Sequence, residues 1–265
     1  ELNYYFESRK KMFPEYVYAG FYLYQLNASF MPETIVHIRE YLYSFTEEDN
    51  RKSGEKQFDY VDPKNREVQE EMESACTVYL KYLGAFLKKK PLKVKFKKEG
   101  FPCEASVIIP VRNRVRTIED AIRSVFRQQT NFDFNLIIVD NHSTDGTTEV
   151  IQQYAEDKRL IHLIPERDDL GIGGCWNEAA GHPSCGKFCV QLDSDDVYSG
   201  PDTLQKIVDA FYAESCAMVI GTYKMTDFDL NEIAPGIIDH REWTEENGRN
   251  NALRINGLGA PRAFY

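Results

Sequence analysis

The rhythm of apolar and polar positions changes near residue 100. Before that point apolar residues recur at three and four. Ile35, Ile38, Leu42 and Phe45 predict a helix beginning near Pro32-Glu33. Val68, Met72, Ala75, Tyr79, Tyr82 and Phe86 predict a second from Asn65 to Lys88. The polar stretch 46–64, with Gly54 and Pro63, reads as a loop. Lys93 to Lys98 alternates like an exposed edge strand or a linker, and Glu99-Gly100-Phe101-Pro102 marks a boundary. After it, short apolar runs alternate with amphipathic ones. Buried strands are predicted at Ala105–Pro110, Phe134–Val139, Leu160–Ile164 and Phe188–Leu192. Helices are predicted between and after them: one capped by Thr117, one opened by Thr147, one carrying Asn177, and one over Pro201–Ala213. Strand alternating with helix at this spacing means a mostly parallel, doubly wound α/β sheet. The expected division is an aromatic-rich helical region over 1–100, ending in a Lys-rich linker, and an α/β domain over 101–265.

Parallel strands end on one edge, and open α/β sheets bind ligands at that edge. Three of the four strand ends carry polar clusters: Pro110-Val111-Arg112-Asn113, Asp140-Asn141-His142-Ser143, and Asp193-Ser194-Asp195-Asp196. Asp193 and Asp195, two apart, point the same way in extended chain. Three carboxylates within four residues repel one another unless a cation sits among them. A hard oxygen-binding ion, Mg²⁺ or Mn²⁺, suits them. An aspartate at the end of the second strand can accept from a base N–H, and a metal at the fourth can hold a pyrophosphate. The pattern suggests a nucleoside-diphosphate site. The competing reading of the acidic run alone is a solvated turn ahead of a helix.

Composition narrows the function classes. The chain has 265 residues, 42% hydrophobic, enough for a packed core. A net charge of −10 argues against a nucleic-acid binder. Seven lysines over Lys88–Lys98 could draw the chain peripherally to an anionic membrane or a lipid-pyrophosphate acceptor, but a solvated connector is the plainer reading. Six scattered cysteines without a CxxC pair read as free thiols in a reducing, cytoplasmic compartment, at most at the inner face of a membrane. His182, Cys185 and Cys189 match no common zinc spacing. No apolar run approaches a membrane span, and the start at Glu1 suggests a processed chain or a fragment.

The segments Ala105–Asn113, Ile138–Thr147, Gly171–Asn177 and Leu192–Asp196 resemble the family 2 glycosyltransferases of the GT-A fold, in the same order and spacing. The resemblance covers Cys103 to about Gly221. It implies a Rossmann-like sheet flanked by helices and a metal-assisted, inverting transfer from a nucleotide-diphosphate sugar, usually a UDP-sugar, to a glycan or lipid-linked hydroxyl. By the same resemblance Asp140 reads the base, and Pro110, Val111, Arg112 and Asn113 line its pocket. Asp193 faces ribose or metal. Asp195 with Asp196 holds the Mn²⁺ or Mg²⁺, the direct ligand being open between them. Asn177 packs under the sugar and diphosphate, and Ser194 lies within the same motif. Gly171–Gly174 is either a phosphate cradle or close helix packing. His142 stands where the family often has a second aspartate. The acidic motif that usually supplies the base does not occur, although Asp227, Asp229, Asp239, Glu242, Glu245 and Glu246 follow the acidic run. Ile255–Tyr265 looks like the acceptor-side strand before that motif, so the base is expected beyond Tyr265. Two rival readings stand. A sugar nucleotidyltransferase would want glycine directly after the first strand, and none is there. A catalytically incomplete domain that binds nucleotide sugars or glycans would tolerate the missing base.

Overall fold

The computed structural model describes residues 16–19, 36–42, 44, 66–86, 92–239 and 262–265. Contacts divide the chain into two compact units, 1–90 with 224–257, and 91–223 with 258–265. In the first unit, α1 (Arg66–Tyr82) is shorter than the predicted helix. Gly84 stops it, in the left-handed region at φ 71°, while Ala85 N–H bonds back to Leu80 O. The Glu71 carboxylate accepts from the backbone N–H groups of Val17, Tyr18 and Ala19. The helix expected near Pro32 does not form across 36–42. Val36, Ile38, Tyr41 and Leu42 there are exposed, so their spacing marks no packed face among the described residues.

The second unit is built on a six-stranded sheet. Its strands are β1 (Ala105–Val111), β2 (Phe134–Asp140), β3 (Leu160–Leu163), β4 (Phe188–Gln191), β5 (Met218–Ile220) and β8 (Arg262–Phe264). The order is β3-β2-β1-β4-β8-β5, with β3, β2, β1 and β4 parallel and β8 antiparallel to β4 and β5. The other two strands, β6 (Tyr223–Thr226) and β7 (Glu232–Ile238), form a separate two-stranded sheet that belongs, but for Tyr223, to the first unit. β1 is buried at every residue, as a central strand covered on both faces must be.

Period-two alternation divides the core. Val107, Ile109, Leu136, Ile138, Phe188 and Val190 face α2 (Ile118–Phe126), α3 (Thr147–Gln152) and α5 (Thr203–Glu214). Ile108, Ile137 and Val139 face α4 (Gly171–Gly181). The Thr117 cap does not form: its hydroxyl makes no capping bond and is buried without a partner. α2 is instead entered through a turn in which Thr117 and Ile118 N–H both bond to Arg114 O.

Residues 92–97 keep the predicted alternation but form no strand. Their lysines are exposed while Phe96 inserts among Phe188, Phe211, Tyr212 and Tyr265, at ring separations of 4.9–6.5 Å. Val94 N–H bonds to Ser215 O and Lys97 N–H to the Tyr265 hydroxyl. The segment is therefore packed onto the α/β unit by an aromatic anchor.

Candidate nucleotide and metal site

Pro110 shapes the edge where the strands end. Ile108 O accepts from Leu192 N–H, so Ile108 and, two residues on, Pro110 turn their backbone groups toward β4. The β1–β4 ladder has already ended at Ile108↔Gln191. The missing proline N–H thus falls where no partner waits, and β1 and β4 part there. Pairing of β1 with β2 runs on to Val111↔Asp140, which brings those ends level.

The loops after β1 and β2 are laced together. Asn113, at φ 55°, donates its N–H to Ser143 Oγ, and its Oδ1 accepts from Thr144 N–H at 2.7 Å. Arg114 N–H bonds to Thr147 Oγ1 and Val115 N–H to Asp145 Oδ2. Asp145 also accepts from the N–H of Thr147, which opens α3. Asn113 therefore has a positioning part that its place in the sequence did not reveal. Arg112 is exposed on this rim.

Asp140 is fully buried. Its Oδ1 accepts from Ser143 N–H at 2.9 Å and its Oδ2 from Thr148 Oγ1 at 2.5 Å. His162 Nε2 lies 3.7 Å from Oδ2, an ion-pair distance rather than a hydrogen bond. Burial alone would raise this carboxyl; His162, Ser143 and Thr148 outweigh it and hold Asp140 well below the usual carboxylate range. Both oxygens are thus committed to protein. The next residue, Asn141, lies just past β2, in a turn closed by His142 N–H donating to Asp140 O. It is 7% exposed, and its Oδ1 is buried with no partner. A buried unpaired acceptor costs free energy unless something fills it. The sequence passed over Asn141 as one polar residue among four. His142 adopts φ 59° and its ring is bonded to Arg167 O, which takes it out of the role of a second carboxylate.

At the end of β4, Asp196 N–H bonds to Asp193 O in a tight turn. Ser194 is buried, Asp193 half-buried, and Asp195 and Asp196 exposed. Asp196 is pushed up to about 6, first by loss of water around its carboxyl and then by the charges of Asp193 and Asp195. Because the residue as a whole is exposed, the crowding of carboxylates is the more dependable cause. It is also the one a cation relieves. Arg114 Nε lies 3.7 Å from Asp195 Oδ2, a half-exposed pair that tethers the β1 loop to the acidic turn. Gln191 Nε2 donates to Asp193 Oδ1 at 2.7 Å. Among the described residues no three His, Cys, Asp or Glu converge to hold a metal unaided.

Other candidates fall elsewhere. Asn177 is exposed on α4. A Cβ on Gly174 would come within 2.6 Å of Leu170 Cβ while Gly173 faces open space, so Gly174 serves close packing at the helix start. His182 Nδ1 accepts from Ser184 N–H, whereas Cys185 and Cys189 sulfurs lie 3.5 Å apart, so the three make no zinc set. Asp227 is consumed in a turn, accepting from Asp229 and Asn231. Glu242, Glu245, Glu246 and Lys88–Lys90 lie outside the described residues. No helix among the described residues is long and apolar enough to cross a membrane.

Known proteins resemble the α/β part of the chain. A candidate teichuronic acid biosynthesis glycosyltransferase of Bacillus subtilis, TuaG, is 34% identical over 120 residues, 45% of this chain and 46% of its own length. Chondroitin synthase of Escherichia coli is 32% identical over 133 residues, 49% of this chain and 19% of its own. The matches thus span under half of these relatives. Among solved structures, Staphylococcus aureus TarS 1–349 in complex with UDP-GlcNAc aligns at 26% identity and TM-score 0.41, over 46% of this chain and 34% of that one. The family description "Glycosyl transferase family 2" matches residues 106–263, more than half of the chain, and the chain belongs to that family.

Proposed function

We propose that the protein transfers a sugar from a nucleotide-diphosphate donor, most naturally a UDP-sugar, to a hydroxyl acceptor, with inversion and with help from a divalent cation. The observation that carries this reading is the orphaned Asn141 acceptor, buried on the strand edge that also bears the crowded Asp193–Asp196 turn. In a family 2 member, an acceptor of that kind suits a base N–H. Asn141 is then the polar group at the end of β2 that meets the base. Asp140, assigned that part by sequence, anchors the loop beneath it. Pro110 to Asn113 form the opposite wall, and Asn177 lies on α4 toward the sugar side.

Mn²⁺ or Mg²⁺ fits the donor chemistry of Asp193, Asp195 and Asp196, whose mutual repulsion it would offset. Because no three such side chains among the described residues converge on an ion, Asp193, Asp195 and Asp196 would hold it together with oxygens of the bound diphosphate. When bound, the ion neutralises charge on the departing nucleoside diphosphate. The acceptor is a glycan or a lipid-linked sugar. Its deprotonation needs a base outside the residues assigned here.

The test is calorimetric titration of UDP, GDP and dTDP, with Mn²⁺ and then with EDTA. UDP binding that strengthens with Mn²⁺, weakens in Asn141→Ala and loses its metal dependence in Asp195→Ala supports the reading. A folded chain that binds none of the three overturns it.

A further inference from the structure

Gln191 stands on β4 two residues before Asp193, level with Arg262 on the antiparallel strand β8. Arg262 Nε donates to Gln191 Oε1 at 2.8 Å, and Gln191 Nε2 donates to Asp193 Oδ1 at 2.7 Å. We propose that Gln191 and Arg262 are positioning residues that aim the Asp193 carboxylate into the metal and diphosphate site, a proposal that rests on the functional reading above.

The direction of this relay follows from chemistry. A guanidinium has donors and no acceptor, so it can meet only the oxygen end of the Gln191 amide. That fixes the amide and leaves its NH₂ end for Asp193. Without Arg262 the amide could turn over and set its oxygen against the carboxylate. Gln191 is 3% exposed, so a turned amide could not exchange its lost bond for water. Asp193 in turn receives a donor on Oδ1, while no other donor to its carboxylate stands among the described residues. One oxygen is held by protein and the other is left for a ligand. β8 thus brings a side chain from more than 60 positions downstream to Gln191, behind the acidic turn.

The test uses the whole chain with Gln191→Met, Arg262→Met, their double variant and Arg262→Lys. Each is melted, then titrated with UDP in Mn²⁺ and in EDTA. The readout is the ratio of the two affinities, which a merely structural role leaves unchanged. Loss of an orienting partner behind a metal ligand costs about 10–100-fold. Each single Met variant is therefore expected to lower the ratio by about tenfold or more, with the EDTA affinity retained. The double variant should fall no further than either single, since one relay is broken once. Arg262→Lys, still a donor to Oε1, should keep most of the ratio. An unchanged ratio in folded Arg262→Met, or additive losses in the double, overturns the relay. If Gln191→Met does not fold, the two Arg262 variants decide the matter. A wild-type chain without Mn²⁺-dependent UDP binding overturns the site itself, and the relay with it, and is recognised before any variant is measured.

Discussion

Replacing Asp140 separates two roles that the sequence could not tell apart. In the structure Asp140 is an ionised hub with no exposed surface, accepting from Ser143 N–H and Thr148 Oγ1. Hydrogen bonds to a charged group contribute about 1.5–3 kcal/mol each, so Asp140→Ala should cost about 3–6 kcal/mol. For a domain of about 150 residues, each kcal/mol lowers the melting temperature by roughly 2–4 °C, giving a drop of roughly 6–24 °C. Asp140→Asn should lose a large part of this, because an NH₂ group would face a donor on one side. The pH dependence has a definite sign. The folded carboxyl lies below its unfolded value, so the stabilisation is present in full above that value, about 3.9, and is lost as pH falls below it. Thermal melts of wild type and Asp140→Asn between pH 3 and pH 7 are the assay. The gap between the two curves should be constant near neutrality and shrink as the wild type is acidified. A variant that melts with wild type yet no longer binds UDP would refute the anchoring role and return Asp140 to the base.

The remaining predictions concern separate features of the α/β unit. Asn113→Ala should cost about 1–2 kcal/mol in chemical denaturation, since alanine at φ 55° is strained and the bond to Thr144 N–H is lost. Asn113→Gly, free of that strain, should lose only the bond. Phe96→Ala removes the ring that ties 92–97 to the sheet and should cost about 2–4 kcal/mol, below or within the range for a fully buried phenylalanine. An unaltered denaturation midpoint would mean the aromatic anchor is dispensable.

The sheet was legible because its signal is redundant. Ala105–Val111 and Phe134–Asp140 are apolar but for Ser106, Asn135 and the terminal Asp140, a near-continuous run that suits a strand covered on both faces. The family resemblance was legible because three of its four motifs sit at the strand ends, with the fourth opening α4. Failures came where one residue overruled a pattern. Gly84 ended α1 inside a run whose spacing continued to Phe86. Val36, Ile38 and Leu42 had helical spacing but stay exposed among the described residues. At the site, sequence marks which residues carry charge but not which way adjacent side chains point. Asp140 and Asn141 are adjacent, yet Asp140 has both oxygens bonded within the protein and Asn141 keeps a buried oxygen without a partner, a difference that no residue pattern encodes. Gln191 read as the tail of an apolar run, and Arg262 as part of a distant strand; neither could be joined to Asp193 without the β4–β8 register.

The two halves of the site differ in how far they are built before a ligand arrives. On the β1–β2 side, Asn113, Arg114 and Val115 are each fixed by bonds to Ser143, Thr147 or Asp145, and Asp140 locks the same loop from beneath. Little ordering cost is left for a base that binds there. On the β4 side, Asp193 is steered by Gln191, but Asp195 is half-exposed and paired only loosely with Arg114. Such an exposed pair stabilises by at most about 1 kcal/mol, so it yields readily to a stronger partner. A cation together with diphosphate is such a partner, since it offsets three carboxylates at once. The nucleoside end should therefore bind without metal, and the metal should add most where a diphosphate is present. Uridine and UDP titrated side by side would show it: Mn²⁺ should strengthen UDP and leave uridine unaffected. An equal gain for both would mean that the ion organises the base pocket instead, against the lacing seen between the β1 and β2 loops.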